Sequence, residues 1–212
     1  MKALPKKLLP LTLFGIAVTS LFTVQPVQGF TITMEQIGSN VVANGSGAIE
    51  LTGLFHFNSH ATAAGVFANE AYISMGSVGG LQDIYSGFTG PTNFGSGGFL
   101  ILANTSSGDP VGIWGNSSLF GIGLIFVPPG YVSNHTLSDS MTFNSATFAS
   151  LGLTPGTYVW TWGTGLMNQN FTLQIGLASV PDGGSTVSLL GCALLGLAAL
   201  RRKLPSLRGR KS

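Results

Sequence analysis

Apolar residues fall along this chain in three patterns, and each predicts a different kind of element. Near the N-terminus, Leu8–Val24 is apolar apart from Pro10 and a few small polar residues; near the C-terminus, Val187–Leu200 has no charge and one hydroxyl residue, Ser188. Between them, strict alternation marks Phe30-Thr31-Ile32-Thr33-Met34, Tyr158-Val159-Trp160-Thr161-Trp162 and Phe171-Thr172-Leu173-Gln174-Ile175, the period-two signature of half-buried strands. The third pattern is the short continuous run, Phe99–Ala103 and Leu119–Val127, which predicts strands buried on both faces. Turn signals recur at strand spacing: Gly79-Gly80, Gly95-Ser96-Gly97-Gly98, Ser107-Gly108-Asp109-Pro110, Pro128-Pro129-Gly130 and Pro155-Gly156. Short strands with such turns predict an all-β fold, a single β-sandwich or jelly-roll-like domain over residues 30–178. Ser145–Leu151 reads as one helical turn, and no internal repeat is evident.

The two terminal runs read differently. Lys2, Lys6 and Lys7 precede Leu8–Val24, and Val27-Gln28-Gly29 offers small or modest residues at positions −3 and −1 of a cut between Gly29 and Phe30. Residues 1–29 therefore read as a Sec-type signal peptide handed to the Sec translocon, with an uncleaved anchor as the alternative. Val187–Leu200 is rich in good helix formers. Fourteen residues rise only about 21 Å as a helix, against a hydrocarbon core of roughly 30 Å. Adding the uncharged Gly183–Thr186 brings this near 27 Å, and snorkelling cations cover the rest. The cluster Arg201-Arg202-Lys203 then stops transfer, and residues 205–212, with Arg208, Arg210 and Lys211, form a basic cytoplasmic tail under the positive-inside rule. A buried helix of a soluble core is the alternative, but it needs no six cations behind it. The lone cysteine, Cys192, falls in this helix as a small apolar filler, so no intrachain disulfide forms.

Charge sharpens the picture. All nine Lys and Arg residues lie in the two ends, three before Leu8 and six after Leu200. Phe30–Pro181 carries only Glu35, Glu50, Glu70, Asp83, Asp109 and Asp139, a formal charge of −6 with neutral histidines. The sequence pI near 8.9 therefore belongs to the targeting segments. A nucleic-acid partner finds no phosphate-neutralising surface. Without lysine or arginine, the domain rests on apolar burial and backbone hydrogen bonds, and its roughly 150 residues suffice for a real core.

The tail, Val180-Pro181-Asp182-Gly183-Gly184-Ser185-Thr186, then the apolar helix, then Arg201-Arg202-Lys203, resembles the PEP-CTERM class of bacterial sorting signals in its VPDSG variant, with Gly183 at the usual serine position. The resemblance covers 179–204. It implies processing by an exosortase, a membrane-embedded cysteine protease or transpeptidase, and export toward an exopolysaccharide-rich envelope. The interior stretches Gly45–Leu51, Ser86–Pro91 with Phe94–Gly98, and Thr147–Gly163 resemble the all-β ectodomain of PEP-CTERM proteins. That resemblance implies a fold class and carries no catalytic residues.

Candidate chemistry is sparse. His56, His60 and Glu70 would suit zinc on a helix, but on a strand i and i+4 sit about 13 Å apart, so no metal and no cofactor is expected. Six isolated carboxylates lack the clustered loop that calcium sites use. Tyr158, Trp160 and Trp162 project from one strand face; exposed, Trp160 and Trp162 would stack on sugar rings, and buried they would be core. Trp114 is equally open. No Gly-x-Ser-x-Gly elbow accompanies the Ser, His and Asp residues, and no close acidic pair suggests a glycosidase. The expectation is a non-catalytic envelope or matrix protein. A carbohydrate-binding module is the alternative, and a hydrolase is the weaker one.

Overall fold

The computed structural model describes residues 29–77 and 79–176. The predicted signal helix, the transmembrane helix 187–200, the sorting motif Val180–Gly184, the cations Arg201, Arg202 and Lys203 and the basic tail lie outside them. Among the described residues no helix is long and apolar enough to cross a membrane; the sole helical element is a 3-10 turn at Ala68–Glu70.

Thirteen strands follow in order: β1 Phe30–Ile37, β2 Asn40–Gly47, β3 Phe55–Ala61, β4 Gly65–Phe67, β5 Tyr72–Met75, β6 Leu81–Ser86, β7 Ile101–Leu102, β8 Thr105–Gly108, β9 Val111–Trp114, β10 Leu124–Val127, β11 Leu137–Phe143, β12 Gly156–Thr161 and β13 Asn170–Ile175. They form two sheets, β12-β13-β1-β2-β11-β8 and β3-β6-β10-β9-β5-β4-β7. All neighbours are antiparallel except β1 and β13, which run parallel with Phe30 opposite Phe171 and Met34 opposite Ile175.

The alternation predicted in the sequence sets which face is buried. Phe30, Ile32 and Met34 of β1, Val41 and Ala43 of β2, Leu137, Met141 and Phe143 of β11 and Phe171, Leu173 and Ile175 of β13 are all buried. They share one apolar cluster with Val66, Ile73, Met75, Val111, Ile113, Ile125 and Val127 of the other sheet. A single core therefore lies between two sheets, the layered arrangement of a β-sandwich.

Three stretches far apart in sequence close one flank. Thr89 and Thr161 exchange backbone hydrogen bonds of 2.9 Å, Ser96 and Gly97 donate to Gly152 O, and Thr154 donates to Phe94 O. Trp160 lies against Gly90, where a Cβ would collide with the indole ring. Only glycine permits that approach, so Ser86–Pro91 is shaped to the tryptophan it covers.

Both continuous apolar runs depart from expectation. In Phe99–Ala103 only Ile101–Leu102 is strand, and Phe99 is 73% exposed. In Leu119–Val127 only Leu124–Val127 is strand and buried; Leu119, 75% exposed, begins a loop that includes Phe120 and Ile122. The apolar residues in these loops form walls on the surface rather than filling the core. Ser145–Leu151 makes a single turn, with Leu151 N–H donating to Thr147 O at 3.1 Å.

Candidate functional site

The seven-stranded sheet packs on both faces, and a cleft opens on its outer one. Alternation along β5, β9 and β10 sends Ile73, Ile113 and Ile125 to the shared core and Tyr72, Trp114, Leu124 and Phe126 to the opposite face. Ile84 of β6 joins them there. The rings hold one another in place. Trp114 stands edge-on to Tyr72 with centroids 5.4 Å apart and an interplanar angle of 82°, and Phe126 lies 6.0 Å from Tyr72. Trp114 Nε1 donates to Glu70 Oε2 at 2.8 Å, and the same oxygen accepts from Ser118 N–H at 3.2 Å. Tyr72 Oη donates to Ala63 O at 2.5 Å, and burial raises its phenol above the ordinary range.

These rings floor a half-open cleft of about 410 Å³. One wall is Leu119 and Phe120, the latter 48% exposed and edge-on to Phe57 at 5.3 Å. Asn58 and His60 of β3 line the other rim. Beside it, Thr62 donates to Gln82 Oε1 at 2.6 Å and lies 2.9 Å from the Ser74 hydroxyl. The sequence singled out Trp114 and His60 separately but gave no sign that they would meet. The signal that could have revealed it is the alternation Tyr72-Ile73-Ser74-Met75, too short to read without its partners.

Of the two readings left open for Trp160 and Trp162, core and sugar platform, their burial selects core. Trp160 is fully buried and Trp162 is 6% exposed. Their indole N–H groups donate inward, to Pro91 O at 2.8 Å and Glu50 O at 2.7 Å, so neither offers a face to a glycan. Trp160 packs edge-on against Phe171 at 6.0 Å. Both are core, because β12 points every second residue at the opposite sheet.

His56 and His60 sit on β3, a strand exposed along its length, while Glu70 is engaged by Trp114 and Ser118. Among the described residues no three His, Cys, Asp or Glu side chains gather as metal ligands do. Gly29 N–H donates to Asn170 Oδ1 at 3.0 Å, and β1 begins at Phe30, so the predicted cut falls directly at the first strand.

The carboxylates separate into two kinds. Glu50 is held below its ordinary range by the Thr52 hydroxyl and N–H, and Asp83 by Gly130 N–H and the Ser59 hydroxyl. Asp139 is the opposite case. It projects from the core-facing side of β11, 5% exposed, and neither of its oxygens completes a hydrogen bond. Burial, then the negative charge of Asp109, push its pKa up to about 8, against a weak opposing pull from the Gly45 backbone. Gly45 makes the room: a Cβ there would strike Asp139 Oδ1 and the Phe30 ring.

The decisive comparison concerns the tail. Residues 179–204 match the VPDSG-CTERM motif. The sorting signal expected from Val180-Pro181-Asp182-Gly183 is thus present, and it points to an exported, envelope-associated protein processed by an exosortase. No curated protein and no solved structure matches the chain.

Proposed function

We propose that this protein is a non-catalytic component of the bacterial envelope or its exopolysaccharide matrix. It is exported through the Sec translocon, cut before Phe30, held by the helix 187–200, and processed by an exosortase at Val180–Gly184. The observation that carries the reading is the three-part tail, whose motif match spans 179–204. A polar motif, an apolar helix and a stop of three cations together retain a chain in the membrane and present it for cutting. The body fits delivery to the outside: it has no cysteine to oxidise. A net negative surface keeps such a body soluble.

The test expresses the full chain and a form lacking Val180–Ser212 in a host with the exosortase. The intact chain is expected first in the inner membrane and then in the envelope or medium, shortened at its C-terminus. The truncated chain is expected to leave the membrane unprocessed. Equal membrane retention of the two forms would refute the reading, and an N-terminus at Met1 in the released protein would refute the cut at Phe30.

A further inference from the structure

We propose that the aromatic cleft on the outer face of the seven-stranded sheet binds the apolar part of a neutral amphiphile, a monoacylglycerol-like molecule whose polar head rests at Asn58 and His60. The inference stands on the geometry of the cleft and is independent of the sorting signal. Its volume of about 410 Å³ falls in the range of roughly 300–1,000 Å³ typical of small-molecule sites, which are apolar with a few placed polar groups. The floor is prebuilt. Tyr72 and Trp114 are fixed by hydrogen bonds to Ala63 O and Glu70, so little ordering cost remains for the ligand.

Two observations choose the class. The floor and the Leu119–Phe120 wall are hydrocarbon and aromatic ring, and the polar side chains of the lining are few: Asn58, His60, Thr62 and Ser118 beside the Tyr72 hydroxyl and Trp114 indole N–H, which are already hydrogen-bonded. A sugar, polar around its whole perimeter, would leave hydroxyls against that wall stripped of water with no partner in its place. An acyl chain leaves none. The head group is chosen by charge. No lysine or arginine occurs between Lys7 and Arg201, so an anionic head meets no cation and a body of net charge −6. No Asp or Glu lines the cleft, and Glu70 Oε2, behind the floor, already accepts from Trp114 and Ser118, so a cationic head finds no carboxylate to pair with there. A neutral head with hydroxyls can pair with the amide of Asn58 and the imidazole of His60.

The test uses the full chain in phosphatidylcholine nanodiscs and a medium-chain monoacylglycerol carrying a photoreactive diazirine. Peptide mapping is expected to find label on Leu119, Phe120 and the 57–63 segment. Excess unlabelled monoacylglycerol should remove it; the fatty acid of equal chain length and a neutral oligosaccharide should not. Phe120→Ser alters an exposed wall, and Trp114→Phe keeps an aromatic floor but loses the indole. Each should cut cleft labelling about tenfold, as loss of an aromatic anchor does, with unchanged circular dichroism. Label confined to 187–200, or labelling of both variants at the level of the parent, would overturn the site. Equal labelling by a diazirine fatty acid would overturn the neutral head group, and competition by the oligosaccharide would overturn the apolar class. Label appearing only after deletion of 187–200 would show that segment to be the occupant and overturn the proposal.

Discussion

The outer faces of the two sheets are built from opposite materials. On the six-stranded sheet the residues alternating with the core are Thr31 and Thr33 of β1, Val42, Asn44 and Ser46 of β2, Ser138, Ser140 and Thr142 of β11, and Gln174 of β13, half-buried or exposed, and Thr172 of β13, which is buried but polar. On the seven-stranded sheet the equivalent face carries Tyr72, Ile84, Leu124 and Phe126, all buried, with Trp114 and Phe67 packed on them. One sheet follows the rule for antiparallel sheets, a core face and a wet face. The other has two apolar faces, and a loop wall rather than a second layer covers the outer one. A fold that needs only one core has spent aromatic area on a second surface, which is why the cleft is the place to look for binding.

This contrast can be broken in graded steps. The largest effect is expected at Phe126→Ala, which opens a hole in the second cluster and should cost about 3–5 kcal/mol in denaturant unfolding; a cost below about 1 would mean the outer cluster contributes little. Next is Asp139→Asn, which tests the six-stranded sheet from its inner side. The folded pKa of about 8 lies above the ordinary 3.8. Between those values the folded state keeps a proton that the unfolded chain has lost, so stability falls as pH rises from about 4 to 8, by up to about 1.4 kcal/mol per pH unit. The asparagine variant should be more stable by up to about 4 kcal/mol at pH 7, with the gain vanishing near pH 4. Glu50 and Asp83, with lowered pKa values, contribute stability above the ordinary carboxylate range and lose it only at lower pH, outside this window. A gain independent of pH would exclude titration as the cause.

Smaller effects sharpen the comparison. Tyr72→Phe removes the hydrogen bond to Ala63 O and should cost about 1 kcal/mol, read as a lowered melting temperature. Thr142→Ala, on the wet face of the six-stranded sheet, should stay within about 0.5 kcal/mol of the parent. If Thr142→Ala cost as much as Phe126→Ala, the two faces would not differ as described.

The legible part of the fold was the part that alternates. Phe30–Met34, Tyr158–Trp162 and Phe171–Ile175 are strands or strand extensions with their large residues inward, because period two and one-sided burial are the same fact. The continuous runs misled for a physical reason. Phe99, Leu119 and Phe120 are as apolar as core residues, and one-dimensional pattern cannot tell a buried strand from the wall of a cleft. Asp139 was legible in principle. Leu137, Met141 and Phe143 share its parity on β11, so the same alternation that buried them buried a carboxyl. Of the functional residues, the tail motif could be read directly since its parts are contiguous. The cleft could not, since Asn58, Tyr72, Trp114 and Phe120 meet only through strand pairing.

The parallel pairing of β1 with β13 also governs timing. The first strand of the body waits for the last before the six-stranded sheet can close, so on the proposed export route the fold is complete only after nearly all of Phe30–Gly176 has been threaded. From Gly176 to Val180 the chain can span at most about 14 Å. The finished body therefore sits beside the motif like a bead against its knot, and an enzyme acting there, as proposed, must work in the shadow of a folded domain.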